Sequence, residues 1–122
     1  MEYVCLGPKI IGVNRKGKAV DGCSKAISVD KIDGILPEAD ILYLAIPETS
    51  ETKNLISHKR LDLLKPSCGI VNIGRQSTMD YDALCEKLKT NKIAGAILDV
   101  FAPEPIEQNS KLWQIPNLMI TP

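Results

Sequence analysis

The sequence predicts an α/β fold, a parallel sheet whose strands alternate with helices or helical turns. Three observations predict it. Short apolar runs of strand length recur along the chain, separated by helix caps and helical spacings. The clearest run, Ala39-Asp40-Ile41-Leu42-Tyr43-Leu44-Ala45-Ile46-Pro47, is continuous rather than alternating, as expected where both faces of a parallel sheet are covered. Polar and Pro residues collect just after the runs, at Asn14-Arg15, Ile46-Pro47, Gly74-Arg75 and from Asp99 to Glu104. Parallel sheets bind their ligands at the carboxyl ends of the strands, so these positions mark the candidate site.

The elements follow in order. Lys9 to Val13 reads as a buried strand entering the basic turn Asn14-Arg15-Lys16-Gly17-Lys18. Ala26-Ile27-Ser28 reads as a second short strand. Val29, Ile32, Ile35 and Leu36 fall at helical intervals, and Pro37 is expected to stop that helix. After the strand of residues 39–47, Ser57 is an N-cap for a helix from His58 to Leu64, ended by Lys65-Pro66. Cys68 to Ile73 is a strand. Asp80 caps a helix that carries Ala83, Leu84 and Leu88 on one face. Ile93 to Val100 is a strand, Leu112-Trp113 a short turn or helix, and Leu118-Met119-Ile120 a last strand.

Composition sets bounds on function. The chain has 122 residues, enough for one domain or part of one. Fifteen basic and fifteen acidic residues cancel, which gives no electrostatic reason to bind nucleic acid or an anionic membrane. Aromatic residues are only 4%, so stacking platforms for bases are not expected either. Cys5, Cys23, Cys68 and Cys85 form no CxxC pair, and no metal site is expected. Cys68 and Cys85 lie in segments that read as buried, where a thiol acts as a small apolar group. Reduced structural cysteines suit a cytoplasmic protein. The sequence shows no apolar run of spanning length, no signal-peptide pattern and no internal repeat.

Three ordered segments carry a resemblance. The first is Ala39-Asp40-Ile41 through Ile46-Pro47, then Thr49, Glu51-Thr52 and Leu55-Ile56. The second runs from Lys65 through Asn72-Ile73-Gly74-Arg75 to Asp80, Ala83-Leu84 and Leu88. The third is Ile93 through Asp99-Val100-Phe101 with Glu104-Pro105, then Leu112-Trp113, Pro116-Asn117 and Thr121-Pro122. Together they resemble the signatures of the D-isomer-specific 2-hydroxyacid dehydrogenases, from about Lys9 to the last residue. The resemblance implies a Rossmann-like, doubly wound parallel sheet that binds NAD or NADP. It implies hydride transfer between that cofactor and a small D-2-hydroxy or 2-keto acid.

The family's roles carry over by position. Arg75 matches the arginine that holds the substrate's carboxylate and carbonyl, a task for a forked, permanently charged group. Its bland alternative is a surface loop arginine. Glu104 matches the glutamate that pairs with the catalytic histidine, where a carboxylate raises the imidazole pKa toward working pH. Asp99 matches the aspartate that binds the nicotinamide carboxamide, although strand-end aspartates often serve only turns. Ile73 and Gly74 would meet the nicotinamide through backbone atoms, a close approach that the missing side chain of Gly74 permits. Ile46, Pro47 and Thr52 would line the adenosine and phosphate side. Asn14 and Arg15 fall where the second strand meets the adenosine ribose. An acid there favours NAD. The neutral Asn14, followed by Arg15, Lys16 and Lys18, points toward NADP.

Three features depart from the family. The eight residues before Lys9 contain one glycine, leaving no room for the glycine-rich turn that receives the pyrophosphate. The catalytic histidine of the family follows the Thr-Pro with which this chain ends, and His58, in the first turn of a helix, is expected to be a surface residue. Gln76 stands where glycine usually follows the arginine. The expectation is therefore a partial dinucleotide-binding domain over residues 1–122, without a substrate domain and with the first strand missing. Its strands should fall into two groups with unpaired inner edges, a marginal fold in isolation. Residues 1–122 alone should be inactive, and the intact protein a homodimer. Two other readings remain open: a non-catalytic, nucleotide-sensing interaction protein of the same fold, as in the family's corepressor branch, and an inactive degenerate fragment.

Overall fold

The computed structural model describes residues 7–121. It divides between Ile35 and Leu36 into two compact units. All the strand pairing is parallel: one sheet has two strands and the other four.

In the first unit β1 (Ile11–Asn14) pairs with β2 (Lys25–Ser28), Ile11 opposite Lys25 and Asn14 opposite Ser28. The basic turn is where the sequence predicts it. Asn14 Oδ1 accepts from the amides of Lys16 (3.2 Å) and Lys18 (3.0 Å), and its Nδ2 donates to the Lys18 carbonyl (2.8 Å). Gly17 has φ +69°, and a Cβ there would lie 2.9 Å from the Ser28 amide nitrogen. Only glycine suits that turn. The expected α-helix after β2 is instead a 3-10 helix, Val29–Gly34, and a second 3-10 turn, Leu36–Glu38, runs through Pro37. Pro37 therefore does not stop the helical path. Near the start of a turn its missing N–H deprives no carbonyl of a partner. Ile32 in this unit and Leu36, the first residue of the second unit, are both buried.

The second unit carries the four-stranded sheet in the order β3-β4-β5-β6. Its strands are β3 (Ile41–Leu44), β4 (Gly69–Asn72), β5 (Gly95–Leu98) and β6 (Leu118–Ile120), the first three trimmed from the predicted segments to their hydrogen-bonded centres and the last as predicted. Leu44, Asn72, Leu98 and Ile120 are in register across the sheet. Period-2 alternation puts Leu44, Ile70, Asn72, Ala96 and Leu98 on one face, all buried. The opposite face carries Ile41 and Met119, 66% and 60% exposed, with Tyr43 and Ile97 also exposed. The continuous apolar run of β3 thus has cover on one side only in this unit, where the sequence reading expects both.

Two helices build the core. α1 (His58–Leu63) is capped by Ser57, whose hydroxyl accepts from the Arg60 amide at 3.4 Å. α2 (Tyr81–Lys89) is capped by Asp80, whose carboxylate accepts from the Ala83 amide at 3.0 Å. Leu84 and Leu88, one turn apart on α2, are fully buried with Leu61, Ile56 and Ile93. Lys87 is buried and bonds Asp62, tying α2 to α1, and this contact holds the Asp62 carboxyl below its usual range. Cys68 and Cys85 are buried free thiols whose pKa values burial pushes up, as the apolar reading requires. No helix among the described residues is long and apolar enough to cross a membrane.

The ends of β3 and β4 approach closely. A Cβ on Gly74 would lie 2.6 Å from the carbonyl oxygen and 2.8 Å from the nitrogen of Ile46. Gly74→Ala is expected to destabilise the protein by about 1–3 kcal/mol, because backbone has to move. Leu84→Ala should cost about 2–5 kcal/mol, and Asp80→Ala about 0.5–2 kcal/mol. Urea denaturation followed by circular dichroism checks all three. A Gly74→Ala protein as stable as the parent would overturn the close-approach reading.

Candidate active site at the carboxyl ends of the strands

The parallel ladder does not stop where the strands do. The Ile73 amide donates to the Leu44 carbonyl (2.9 Å), Asp99 to Asn72 (3.0 Å) and Thr121 to Leu98 (3.0 Å). Ile73, Asp99 and Thr121 therefore form one row across the sheet's carboxyl edge. Ile73 exposes 43% of its surface there. Thr121 Oγ1 donates to Asp99 Oδ1, which fixes the carboxylate at the rim.

After β3, Ile46 is half-buried and Pro47 exposed. Thr52 ties the loop back, its hydroxyl donating to the Pro47 carbonyl at 2.7 Å and accepting from the Thr49 amide at 2.7 Å. The loop also pairs with the segment after β4: the amides of Asn54 and Ile56 donate to the carbonyls of Ser77 (2.7 Å) and Thr78 (2.9 Å). Ile46, Pro47, Thr52, Ile73 and Gly74 are thus assembled in one place. Gly74 also has a packing reason to be glycine. Its missing side chain makes room for the Ile46 backbone, and Gly74 is buried.

Arg75 leaves β4 on a rigid turn. Its carbonyl accepts from Thr78 Oγ1 (2.7 Å), the Thr78 amide (3.2 Å) and Asn72 Nδ2 (3.2 Å). The side chain is exposed, with Nη1 donating to the Gly74 carbonyl at 2.8 Å. Gln76 opens a 3-10 turn, Gln76–Thr78, and is absent from the positive-φ residues. Replacing the family's usual glycine by Gln76 therefore leaves the turn unstrained.

Glu104 lies on the exposed loop after β5, where its Oε1 accepts from the Phe101 amide at 2.8 Å. Arg75 and Glu104 thus stand on neighbouring loops, after β4 and after β5. Two residues that the sequence reading did not assign to the site join those loops. Asn72, fully buried, donates to Tyr81 Oη at 3.3 Å, and Tyr81 Oη donates to the Val100 carbonyl at 2.8 Å. The Tyr81 ring meets Phe101 edge-on, centroids 6.4 Å apart. Burial pushes the Tyr81 phenol well above its ordinary pKa, so it stays a neutral donor. The available signal was Asn72 itself, an amide at the end of an otherwise apolar strand, which must find partners when buried.

Asn14 and Arg15 stand at the carboxyl end of β1 in the first unit, with the polar atoms of Asn14 occupied by its own turn. His58 is a surface residue in the first turn of α1, as expected, 4.0 Å from Asp62.

The donor set suits a nicotinamide dinucleotide. An exposed apolar side chain, Ile73, sits beside a fixed carboxylate, Asp99, matching an apolar ring face next to a carboxamide donor.

Comparison with known proteins agrees. Residues 3–122 match the family model for the D-isomer specific 2-hydroxyacid dehydrogenase, NAD binding domain. The glyoxylate/hydroxypyruvate reductase B of Pectobacterium carotovorum is 43% identical over 91 residues, covering 75% of this chain and 28% of that protein. The glyoxylate reductase of Pyrococcus furiosus is likewise 43% identical over 91 residues, 75% of this chain and 27% of its own. A crystal structure of a D-isomer specific 2-hydroxyacid dehydrogenase from Xanthobacter autotrophicus, in complex with NADPH and MES, superposes with a TM-score of 0.85 at 33% identity. That match covers 93% of this chain and 47% of the other. The chain spans between about a quarter and a half of the length of these relatives. With its parallel sheet, its ordered strand-end residues and a family match over nearly its whole length, the chain belongs to the D-isomer specific 2-hydroxyacid dehydrogenases, within their NAD binding domain.

Proposed function

We propose that this chain is the nucleotide-binding part of an NAD(P)-dependent oxidoreductase that interconverts a small 2-keto acid and its D-2-hydroxy acid. The observation that carries this reading is the placement of Arg75, Asp99 and Glu104 on consecutive strand ends, around the row Ile73–Asp99–Thr121. The likeness to two glyoxylate reductases supports the substrate class.

Each residue has a task in that reaction. The cofactor supplies a hydride to the keto carbon when bound. Asp99, steadied by Thr121, would hold the carboxamide of the nicotinamide. Ile73 would pack against the ring, and Ile46, Pro47 and Thr52 would line the adenosine and phosphate side. Arg75 forks onto the substrate carboxylate and polarises its carbonyl. Glu104 pairs with the histidine that the family places after a Thr-Pro such as Thr121-Pro122, and stabilises the imidazolium that gives its proton to the carbonyl oxygen. By family position Asn14 and Arg15 would serve the adenosine ribose, and the neutral Asn14 with the basic turn would favour NADP over NAD. The NADPH held by the Xanthobacter relative supports that preference. The family resemblance supports a homodimer for the intact protein, and the reduced cysteines support a cytoplasmic location.

The test is a spectrophotometric assay of the protein as expressed from its source, with glyoxylate and hydroxypyruvate and each cofactor. Oxidation of NADPH, faster than that of NADH and dependent on keto acid, is expected. Nucleotide binding without turnover of any 2-keto acid would replace the enzyme reading by a nucleotide-sensing one. Arg75→Lys should lower kcat/KM by about 100-fold or more, since one ammonium cannot fork a carboxylate. Glu104→Gln removes the charge that raises the imidazole pKa. Reduction needs the protonated imidazole, so activity is present below that pKa and lost above it. The alkaline limb of kcat/KM should therefore move to lower pH by about one unit, and an unmoved limb would exclude Glu104 from the pair.

A further inference from the structure

The loops of Arg75 and Glu104 are held by different strands, yet their chemistry requires a fixed mutual geometry. One hydroxyl connects them. Tyr81 lies in the first turn of α2 and is 8% exposed. Its Oη accepts from Asn72 Nδ2 at 3.3 Å and donates to the Val100 carbonyl at 2.8 Å. On one side, Asn72 accepts from the Gly74 amide (3.0 Å) and donates to the Arg75 carbonyl (3.2 Å), so it sets the turn from which Arg75 projects. On the other side, Val100 lies between Asp99 and Phe101, whose amide holds Glu104 Oε1 at 2.8 Å. A continuous hydrogen-bonded path thus runs from the Gly74 amide through Asn72 and Tyr81 to the residues that place Asp99 and Glu104. No buried side-chain polar atom is unsatisfied among the described residues, so the path has no slack at either end.

We propose that the Tyr81 hydroxyl is a positioning group that couples the substrate-binding turn at Arg75 to the Asp99–Glu104 loop. Resting on the dehydrogenase reading for its catalytic consequence, it also makes a structural claim that stands without turnover. Tyr81 touches neither substrate nor cofactor in this role. The ring packs, and the hydroxyl transmits.

The variant that isolates the hydroxyl is Tyr81→Phe, which keeps the ring against Phe101 and removes one oxygen. Two neutral partners, Asn72 Nδ2 and the Val100 carbonyl, then lose a bond together. Amide hydrogen exchange of the protein as expressed from its source is the first readout. Peptides spanning residues 73–77 and 99–105 should both exchange about tenfold faster, while the interior of α2 around Leu84 and Leu88 stays at the parental rate. Acceleration of the 99–105 peptide alone, or of neither, would overturn the coupling. Phe101→Leu is the companion variant. It removes the ring contact and leaves the hydroxyl, so exchange at residues 73–77 should stay unchanged. Acceleration there would assign the effect to packing and overturn the role of the hydroxyl. Kinetics give the second readout: Tyr81→Phe should raise KM for the 2-keto acid several-fold, by more than it raises KM for NADPH. An unchanged keto-acid KM in an active enzyme would refute the positioning role. A protein without keto-acid turnover would refute the dehydrogenase reading, while the exchange result would still decide the coupling.

Discussion

The site depends on the burial of one amide. Asn72 closes β4 with its side chain fully inaccessible, and a buried amide without partners carries a cost of a few kcal/mol, on the order of 1–3 by mutational measures. The chain meets that demand by wrapping polar groups around it. The Gly74 amide, the Arg75 carbonyl and the Tyr81 hydroxyl all turn toward Asn72. The turn after β4 thus has one conformation that satisfies the amide, and Arg75 emerges from it at a defined point. A hydrophobic residue at this position would pack equally well against α2 and would specify no turn at all.

A parallel sheet makes such a constraint propagate sideways. Because the ladder continues past the strands, the positions of Ile73, Asp99 and Thr121 are fixed relative to one another by backbone bonds before any side chain acts. Side chains then add the crosslinks. Thr121 steadies Asp99, Tyr81 reaches Val100, and Thr52 returns the β3 loop to Pro47. Chemistry is placed on loops, whose backbone is cheap to vary, but each loop is anchored within a few residues of a buried strand. Gly74 shows how tight that anchoring is. Its missing Cβ serves the meeting of two strand ends, so the glycine there is a packing requirement.

The sequence displays the parts of this arrangement that depend on local pattern. Apolar runs located β3, β4, β5 and β6, and the caps Ser57 and Asp80 marked the starts of both helices. The division of the strands into two sheets was legible as well. Residues 29–38 were misread because 3-10 and α-helical spacings both bring every third or fourth side chain to one side, and Pro37 is compatible with the former. The exposure of Ile41 and Tyr43 could not be read, since a continuous apolar run states that a strand is suited to burial and not what covers it. Residues that match the family signatures stand at the strand ends, where the pattern of the sequence puts them. Tyr81 was missed for a physical reason. A tyrosine in the first turn of an amphipathic helix reads as core, and its bonds to Asn72 and Val100, nine and nineteen residues away in sequence, leave no periodic trace.

The contrast between the two halves of Arg75 bears on how the site can work. Its main chain is held by three hydrogen bonds to one carbonyl, while its guanidinium rests on the neutral Gly74 carbonyl and is otherwise open to solvent. A guanidinium has five donors, and a neutral acceptor occupies them weakly. A carboxylate arriving at the strand ends offers charge and a matching fork, roughly twice the strength of the bond it displaces. Exchange of one acceptor for the other therefore needs no rearrangement of the turn, only rotation of a side chain whose base is already fixed. On the proposed reading lysine would be a poor substitute at this position, keeping the charge and the anchored base but losing the plane that would orient the bound acid.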